Sequence, residues 1–538
     1  MAWWRDAVIY QVYVRSFADS DGDGVGDLPG IISRLPYIHR LGVDAIWLNP
    51  FYPSPQADGG YDVADYRDVE PLFGTLDDFD RLLTEAHRLG LRVIVDIVPN
   101  HTSSAHVWFQ EALHSTPGSP ARARYIFREG RGDGAEPPNN WTSQFGGPAW
   151  TRVTEANGEP GQWYLHLFDT SQPDLDWSNP EVGDEFESTL RFWLDRGADG
   201  FRIDVANALA KHSELPDLDD RFRHRRLTEA GHPHWDRDEV HEIYRRWRRV
   251  AEEYDGDRAF VAEAWLRDPE RLSLYLRPDE LHTAFNFHFL LARWDAGSVR
   301  KAVDSTLDAV SRVGAPATWV LSNHDVTRHV TRYGGGRLGK RRARAAALLM
   351  LALPGSAYIY QGEELGLPEV EDLPDELRQD PTFLRTRGEI KGRDGCRVPI
   401  PWSGEQPPFG FTTAPTAWLP QPAAWSALTA AREEGESGSM HSLYREALTL
   451  RRTFELDPER IEWAEADDGV LVFRRAPDFV CAVNFGNELA ELPTSVRGAK
   501  VLLASTRPPR RDTLAANSTA WLSIGRGQSV ATRRRSST

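Results

Sequence analysis

Ionisable residues recur at the ends of short apolar runs in this chain. DIVPNH carries Asp96, Asn100 and His101, FRID carries Arg202 and Asp204, and AEAW carries Glu263. SNHD carries Asn323, His324 and Asp325, and QGEE carries Gln361, Glu363 and Glu364. A buried strand does not tolerate such groups unless they are paired or used. Arg202 stands two residues before Asp204, so on a strand both side chains share one face. Its cation should hold Asp204 ionised. Glu263 lies between Ala262 and Ala264 with no basic neighbour in sequence, which makes it the candidate for a protonated acid. An ionised carboxylate facing a neutral carboxyl is the pairing that glycoside hydrolysis uses. A third carboxylate, Asp325, would push at least one pKa of the group up. A structural ion pair is an equal reading for any single strand end, but it does not account for five ends at once.

These side chains meet only if the fold gathers the strand ends. Eight runs read as strands, at 8–14, 44–50, 92–99, 200–206, 259–265, 283–289, 317–325 and 356–364. Segments of helical period lie between them, at 30–41, 76–89, 184–196, 239–253, 298–313 and 338–351. Eight strands alternating with helices predict an α/β fold, a (β/α)8 TIM barrel, whose strand C-termini open onto one mouth. The barrel is assigned residues 1–101 and 173–454. Residues 102–172 read as a domain inserted after the third strand, and 366–436 as an excursion after the eighth. Residues 455–538 read as a C-terminal antiparallel β domain, with a frayed tail over 532–538.

The composition excludes several classes of function. With 63 basic and 80 acidic residues the net charge is −17, a poor basis for nucleic-acid binding. No apolar run reaches the length of a membrane span, and the N-terminus shows no secretory signal. Two cysteines exclude a disulfide framework and a thiolate metal site, and fit a reducing cytosol. A cytoplasmic monomer or small homo-oligomer acting on small molecules is expected. The 19 tryptophans suit core packing or stacking against sugar rings.

Five segments together resemble the conserved regions of the α-amylase superfamily, glycoside hydrolase family 13. They are DIVPNH at 96–101, QPDLDW at 172–177, GFRIDVANA at 200–208, FVAEAW at 260–265 and LSNHD at 321–325. QPDLDW, YQGEELG at 360–366 and GRDGCRVPIPW at 392–402 resemble its α-glucosidase and oligo-1,6-glucosidase branch. The resemblance implies a retaining, exo-acting α-glucosidase. Asp204 would be the nucleophile, Glu263 the acid and base, and Asp325 the carboxylate that binds the 2- and 3-hydroxyls. His101, Arg202 and His324 would surround the sugar. Tyr61 would stack on it, and Asp62 would bind the 4-hydroxyl together with Arg393, or else Arg397, closing the pocket. Val205, directly after the nucleophile position, resembles the α-1,6-specific members, although packing alone also places Val in a strand. Relatives that transfer the sugar to another sugar use the same intermediate, so a transglycosylase or isomerase is the alternative.

The loop DSDGDGVGD at 19–27 alternates oxygen ligands with glycines, like an EF-hand loop without its terminal Glu. By resemblance it would hold a structural Ca2+ through Asp19, Asp21, Asp23, the Val25 carbonyl and Asp27; otherwise it is a solvated acidic turn. His212, His224, His232 and His234 fall in a polar loop and read as solvated. Trp402, Trp418 and Trp425 either wall the aglycone side or pack the excursion.

Overall fold

The structure, a computed structural model, describes residues 2–155, 157–222, 227–454, 456–457 and 459–524. Eight parallel strands form one sheet: Val8–Val12, Ala45–Leu48, Arg92–Ile97, Gly200–Ile203, Ala259–Ala262, Thr283–Ala284, Thr318–Val320 and Ser356–Tyr360. Each pairs with its neighbour in the chain except the sixth with the seventh, and the eighth pairs back onto the first. The seam between the sixth and seventh strands is crossed by the Asn286 N–H, which donates to the Thr318 carbonyl at 3.1 Å. The strands therefore enclose one interior. Every strand position except Arg92 is buried, as a sheet covered by helices outside and filled by side chains inside requires.

The strands end earlier than the apolar runs suggest. The fourth stops at Ile203 because Val205 turns to a φ of 44°, a region that β-branched residues avoid. The sixth stops at Ala284, and the Asn286 side chain then caps a short helix, Phe287–Leu290. The polar residues at the run ends thus leave the ladder and belong to the barrel rim.

The outer helices start where capping chemistry puts them. Asp27 accepts from the Gly30 N–H to begin Leu28–Leu41. Thr75 and Asp78 form a reciprocal capping box on Leu76–Arg88. Asn179 followed by Pro180 opens Pro180–Arg196. Between the third and fourth barrel strands lies a three-stranded antiparallel sheet, Phe127–Arg128, Pro160–Leu165 and Trp150–Thr154. The segment after the eighth strand is irregular apart from short helices such as Pro381–Arg385. A five-stranded antiparallel sheet spans Glu462–Ala464 to Ser518–Ser523. It docks on helix Gly336–Ala352 through Trp521 Nε1, which donates to the Leu348 carbonyl at 2.9 Å. The expected tail over 532–538 lies outside the described residues. Among the described residues no helix is long and apolar enough to cross a membrane. Cys396 and Cys481 are both free and buried.

Candidate active site

Strand register assembles the centre. Asp96 on the third strand stands beside Arg202 on the fourth, and Arg202 stands beside Val261 on the fifth, two residues before Glu263. Arg202 is 1% exposed. Its Nη1 donates to Asp96 at 2.9 and 3.0 Å and to Asp204 Oδ1 at 2.7 Å, and its Nη2 donates to Glu263 Oε2. One cation therefore serves three carboxylates.

The sequence pairs Arg202 with Asp204 and takes Glu263, with no basic neighbour in sequence, as the candidate for a protonated acid; the structure sets Arg202 on both. Glu263 finds its cation across the sheet, where sequence adjacency does not reach. Burial pushes Asp96 up to about 7 and raises Asp204 well above the ordinary carboxylate value, with Arg202 opposing both. Burial thus outweighs the guanidinium at both groups, contrary to the expectation that Arg202 holds Asp204 ionised. Glu263 Oε1 accepts from Trp265 Nε1 at 2.8 Å, and its Oε2 also accepts the Val205 N–H at 3.2 Å. The strained turn at Val205 thus delivers a backbone donor to Glu263. The Trp265 ring stacks on Phe287 at 3.7 Å.

Asp325 lines both cavities at the mouth. Its Oδ1 accepts from Arg393 Nη1 at 3.0 Å and Arg397 Nη2 at 3.1 Å, and His324 Nε2 is 3.2 Å from its Oδ2. Burial works against its charge, but His324, Arg393 and Arg397 together hold the carboxyl well below its ordinary range.

The carboxylate that pairs with Arg393 is Asp58, not Asp62. Arg393 Nη2 donates to Asp58 Oδ1 at 2.6 Å. The expected partner, Asp62, turns into its own loop and accepts the Ala57 and Asp58 N–H groups, each at 2.9 Å. Gly60 permits that loop, with a φ of 101° and the Pro50 carbonyl 2.9 Å from where a Cβ would stand. Burial lifts Asp58 to about 6 against the pull of Arg393 and Arg397. Arg393 also bonds Asp380 through Nε. Arg397, the second candidate, binds Asp325 and the His324 carbonyl instead.

Tyr61 lies parallel to His324 at 5.2 Å. His101 Nε2 lies 3.2 Å from the Tyr61 carbonyl, and burial drives its pKa down to about 4, so it is neutral. Asp58, Tyr61, His101, Asp204, Glu263 and Asp325 line a cavity of about 130 Å3. It opens into an outer cavity of about 510 Å3. Glu263, Val205, Trp265 and Arg393 line both and so mark the junction.

Two further groups differ from expectation. His232 and His234 are buried, not solvated, with ring centres 4.3 Å apart and His234 4.2 Å from Trp141. They line the outer cavity because the loop after the fourth strand packs its apolar residues against the inserted sheet. His224 lies outside the described residues. Trp402, Trp418 and Trp425 line neither cavity. Trp402 packs edge-on against Phe17 and Tyr37, and Trp418 carries Arg15 at 3.9 Å. The sequence did not single out Asp58, Gln172 or Asp380; Gln172 donates to Asp58 at 3.1 Å.

The two insertions meet over the cavity. Arg385 donates to the Gly146 carbonyl at 2.8 Å and the Pro148 carbonyl at 3.2 Å, and pairs with Asp169 at 3.6 Å. Away from the mouth, Asp19, Asp21 and Asp27 bring carboxylate oxygens within 4.8 Å of one another, a hard oxygen set that fits a divalent cation. Asp23 does not join them; its Oδ1 accepts the Val25 N–H.

Paired carboxylates on one guanidinium, at the C-terminal mouth of a parallel barrel, define an enzyme class that works on glycosidic bonds. The chain belongs to the α-amylase family, whose catalytic domain matches residues 11–456. It is 40% identical over 521 residues to a probable alpha-glucosidase of Rhizobium meliloti (strain 1021), covering 91% of each chain. It is 36% identical to an oligo-1,6-glucosidase of Parageobacillus thermoglucosidasius, covering 84% of each. The crystal structure of the alpha-glucosyl transfer enzyme XgtA superposes with a TM-score of 0.87 at 38% identity, covering 97% of this chain and 99% of that one.

Proposed function

We propose that the protein is a retaining, exo-acting α-glucosidase that releases glucose from the non-reducing end of short α-1,4- or α-1,6-glucosides. The observation that carries this reading is Asp58, which lines the inner cavity but not the outer one and accepts from Arg393 at 2.6 Å. A sugar seated there has its reducing side towards Glu263 and no room for a further unit beyond its 4-hydroxyl. Asp204 attacks the anomeric carbon and forms a β-glucosyl ester. Glu263, at the junction, protonates the departing oxygen. Water then enters from the outer cavity, Glu263 takes its proton, and attack on the ester frees Asp204 with net retention. Asp325, fixed in its charged form, accepts the 2- and 3-hydroxyls. Arg202 balances charge as it moves from Asp204 to Glu263 and back.

The φ of 44° at Val205 supports a role for that residue in linkage preference, since such strain persists only where the surroundings impose it. Asp19, Asp21 and Asp27 would hold a Ca2+ that braces the start of the first helix and takes no part in the chemistry. Two buried free thiols fit a cytoplasmic setting.

The test is product analysis on maltose, isomaltose, sucrose, trehalose and p-nitrophenyl α-glucoside, with NMR of the first anomer released. Glucose appearing first as the α-anomer is expected; the β-anomer first would contradict retention. The roomy outer cavity favours a second reading, transfer of the glucosyl group to a sugar acceptor. New disaccharides outweighing glucose at high substrate would establish it.

A further inference from the structure

We propose that Gln11 is a positioning residue that fixes His324 as its Nε2–H tautomer and so sets which of its ring nitrogens can donate. The argument runs along one buried chain of hydrogen bonds. Arg202 donates to both Asp96 oxygens and Trp47 Nε1 donates to Oδ2 at 3.2 Å, so Oδ2 is an acceptor and the Tyr61 hydroxyl, 3.2 Å away, donates to it. A hydroxyl has one hydrogen. Asn49, 2.6 Å from that hydroxyl, must therefore present its NH2 group to it. The Asn49 Oδ1 is then the end that faces Gln11, and Gln11 Nε2 donates to it at 2.9 Å. The same Gln11 nitrogen lies 2.8 Å from His324 Nδ1. An amide NH2 only donates, so Nδ1 carries no proton and Nε2 does.

Nothing else near the ring opposes this. Tyr13 stacks on one face at 5.8 Å and Tyr61 on another at 5.2 Å. Burial, together with the cations of Arg397, Arg202 and Arg393, keeps the ring neutral, although Asp325 favours its charged form. His324 Nε2 lies 3.2 Å from Asp325 Oδ2 without making a hydrogen bond to it, and the other tautomer would set a lone pair against that negative charge. Gln11 lies on the first barrel strand and is 2% exposed. It lines neither cavity, so it acts on the sugar site through its partners, His324 and, by way of Asn49, Tyr61.

The experiment is long-range 1H–15N NMR of the 15N-histidine-labelled protein, with the His324 signals assigned by their loss in His324→Asn. Wild-type protein should show a pyrrole-like Nε2 and a pyridine-like Nδ1. Gln11→Glu places an acceptor against Nδ1 and should move the pyrrole-like shift to Nδ1, with kcat/KM falling about tenfold or more. Gln11→Met removes the donor without adding charge; it should blur the two shifts into a tautomer mixture, with a smaller loss. A pyrrole-like Nδ1 in the wild type overturns the proposal, as does a folded Gln11→Met variant with unchanged His324 shifts and kcat/KM. The tautomer assignment needs no substrate; only the kinetic arm rests on the α-glucosidase reading, so the two can fail separately.

Discussion

Asp58 and Arg393 lie 335 positions apart in the chain and meet at 2.6 Å in the wall of the inner cavity. Replacing Asp58 by Asn removes a charge-assisted bond worth about 1.5–3 kcal/mol. The expected result is a loss of about ten- to a hundredfold in kcat/KM, mostly through KM. Asp58 loses its charge below its raised pKa of about 6, so it should also contribute to the acid limb of the wild-type profile, and Asp58→Asn should flatten that limb. Initial rates on maltose and isomaltose between pH 4 and 7 read both effects (pH range about that of the limb). Unchanged kcat/KM would remove Asp58 from the pocket.

Asp380 touches neither cavity yet binds both Nε and the backbone N–H of Arg393. It leaves Nη1 and Nη2 aimed at Asp325 and Asp58. Its carboxyl is held down to about 2 by Arg393 and Arg397 against burial. Asp380→Asn should raise KM about tenfold or more, with a smaller effect on kcat. An equal fall in kcat alone would show that Arg393 keeps its aim without Asp380.

Asp204→Asn should abolish turnover by several orders of magnitude while the protein keeps its fold by circular dichroism. Azide, small and anionic, should restore part of the activity and yield a β-glucosyl azide in this variant. Near-normal turnover without azide would take the nucleophile role away from Asp204.

Glu363 gives a stability test with an unusual sign. Burial lifts its carboxyl to about 8, far above the ordinary 4.5. Between those values the folded protein holds a proton that the unfolded chain has released. Stability therefore falls as pH rises through about 4.5 to 8, the reverse of a salt-bridged carboxylate. Glu363→Gln stays neutral and can still accept from Tyr444, the present donor at 2.7 Å. Its Tm should match the wild type near pH 5 and exceed it near pH 8 (about the ends of that window). A wild-type Tm no lower at pH 8 than the variant's would contradict the raised carboxyl.

Calcium should raise Tm by a few degrees and leave kcat unchanged. A ligand at about a hundred times its Kd adds about 2.7 kcal/mol. Asp21→Asn should abolish the Tm response, whereas Asp23→Asn should leave most of it, because Asp23 lies outside the cluster. An identical response in the two variants would rule out the three-carboxylate set.

The barrel was legible because its strands are continuous apolar runs and its helices carry period and caps. The carboxylates of the mouth, Asp204, Glu263 and Asp325, were legible because each ends such a run. Asp58 was not. In QADGGYD it and Asp62 flank a glycine pair, and no periodicity says which one faces the cavity. The choice is made by two backbone N–H groups that Asp62 must satisfy. Glu263's cation was hidden for a similar reason, since cross-strand neighbours are far apart in sequence. His232 and His234 looked polar because their own loop is polar; their burial comes from Trp141 and the inserted sheet.

Arg385 ties the segment after the eighth strand to the segment after the third, and Arg393 from the former lies 4.9 Å over the Phe145 ring from the latter. Neither piece shapes the entrance unaided. Recombining substrate preference among relatives by grafting should therefore succeed when both pieces come from one parent and fail when they are mixed, since a foreign partner would leave the guanidinium of Arg385 without its carbonyls.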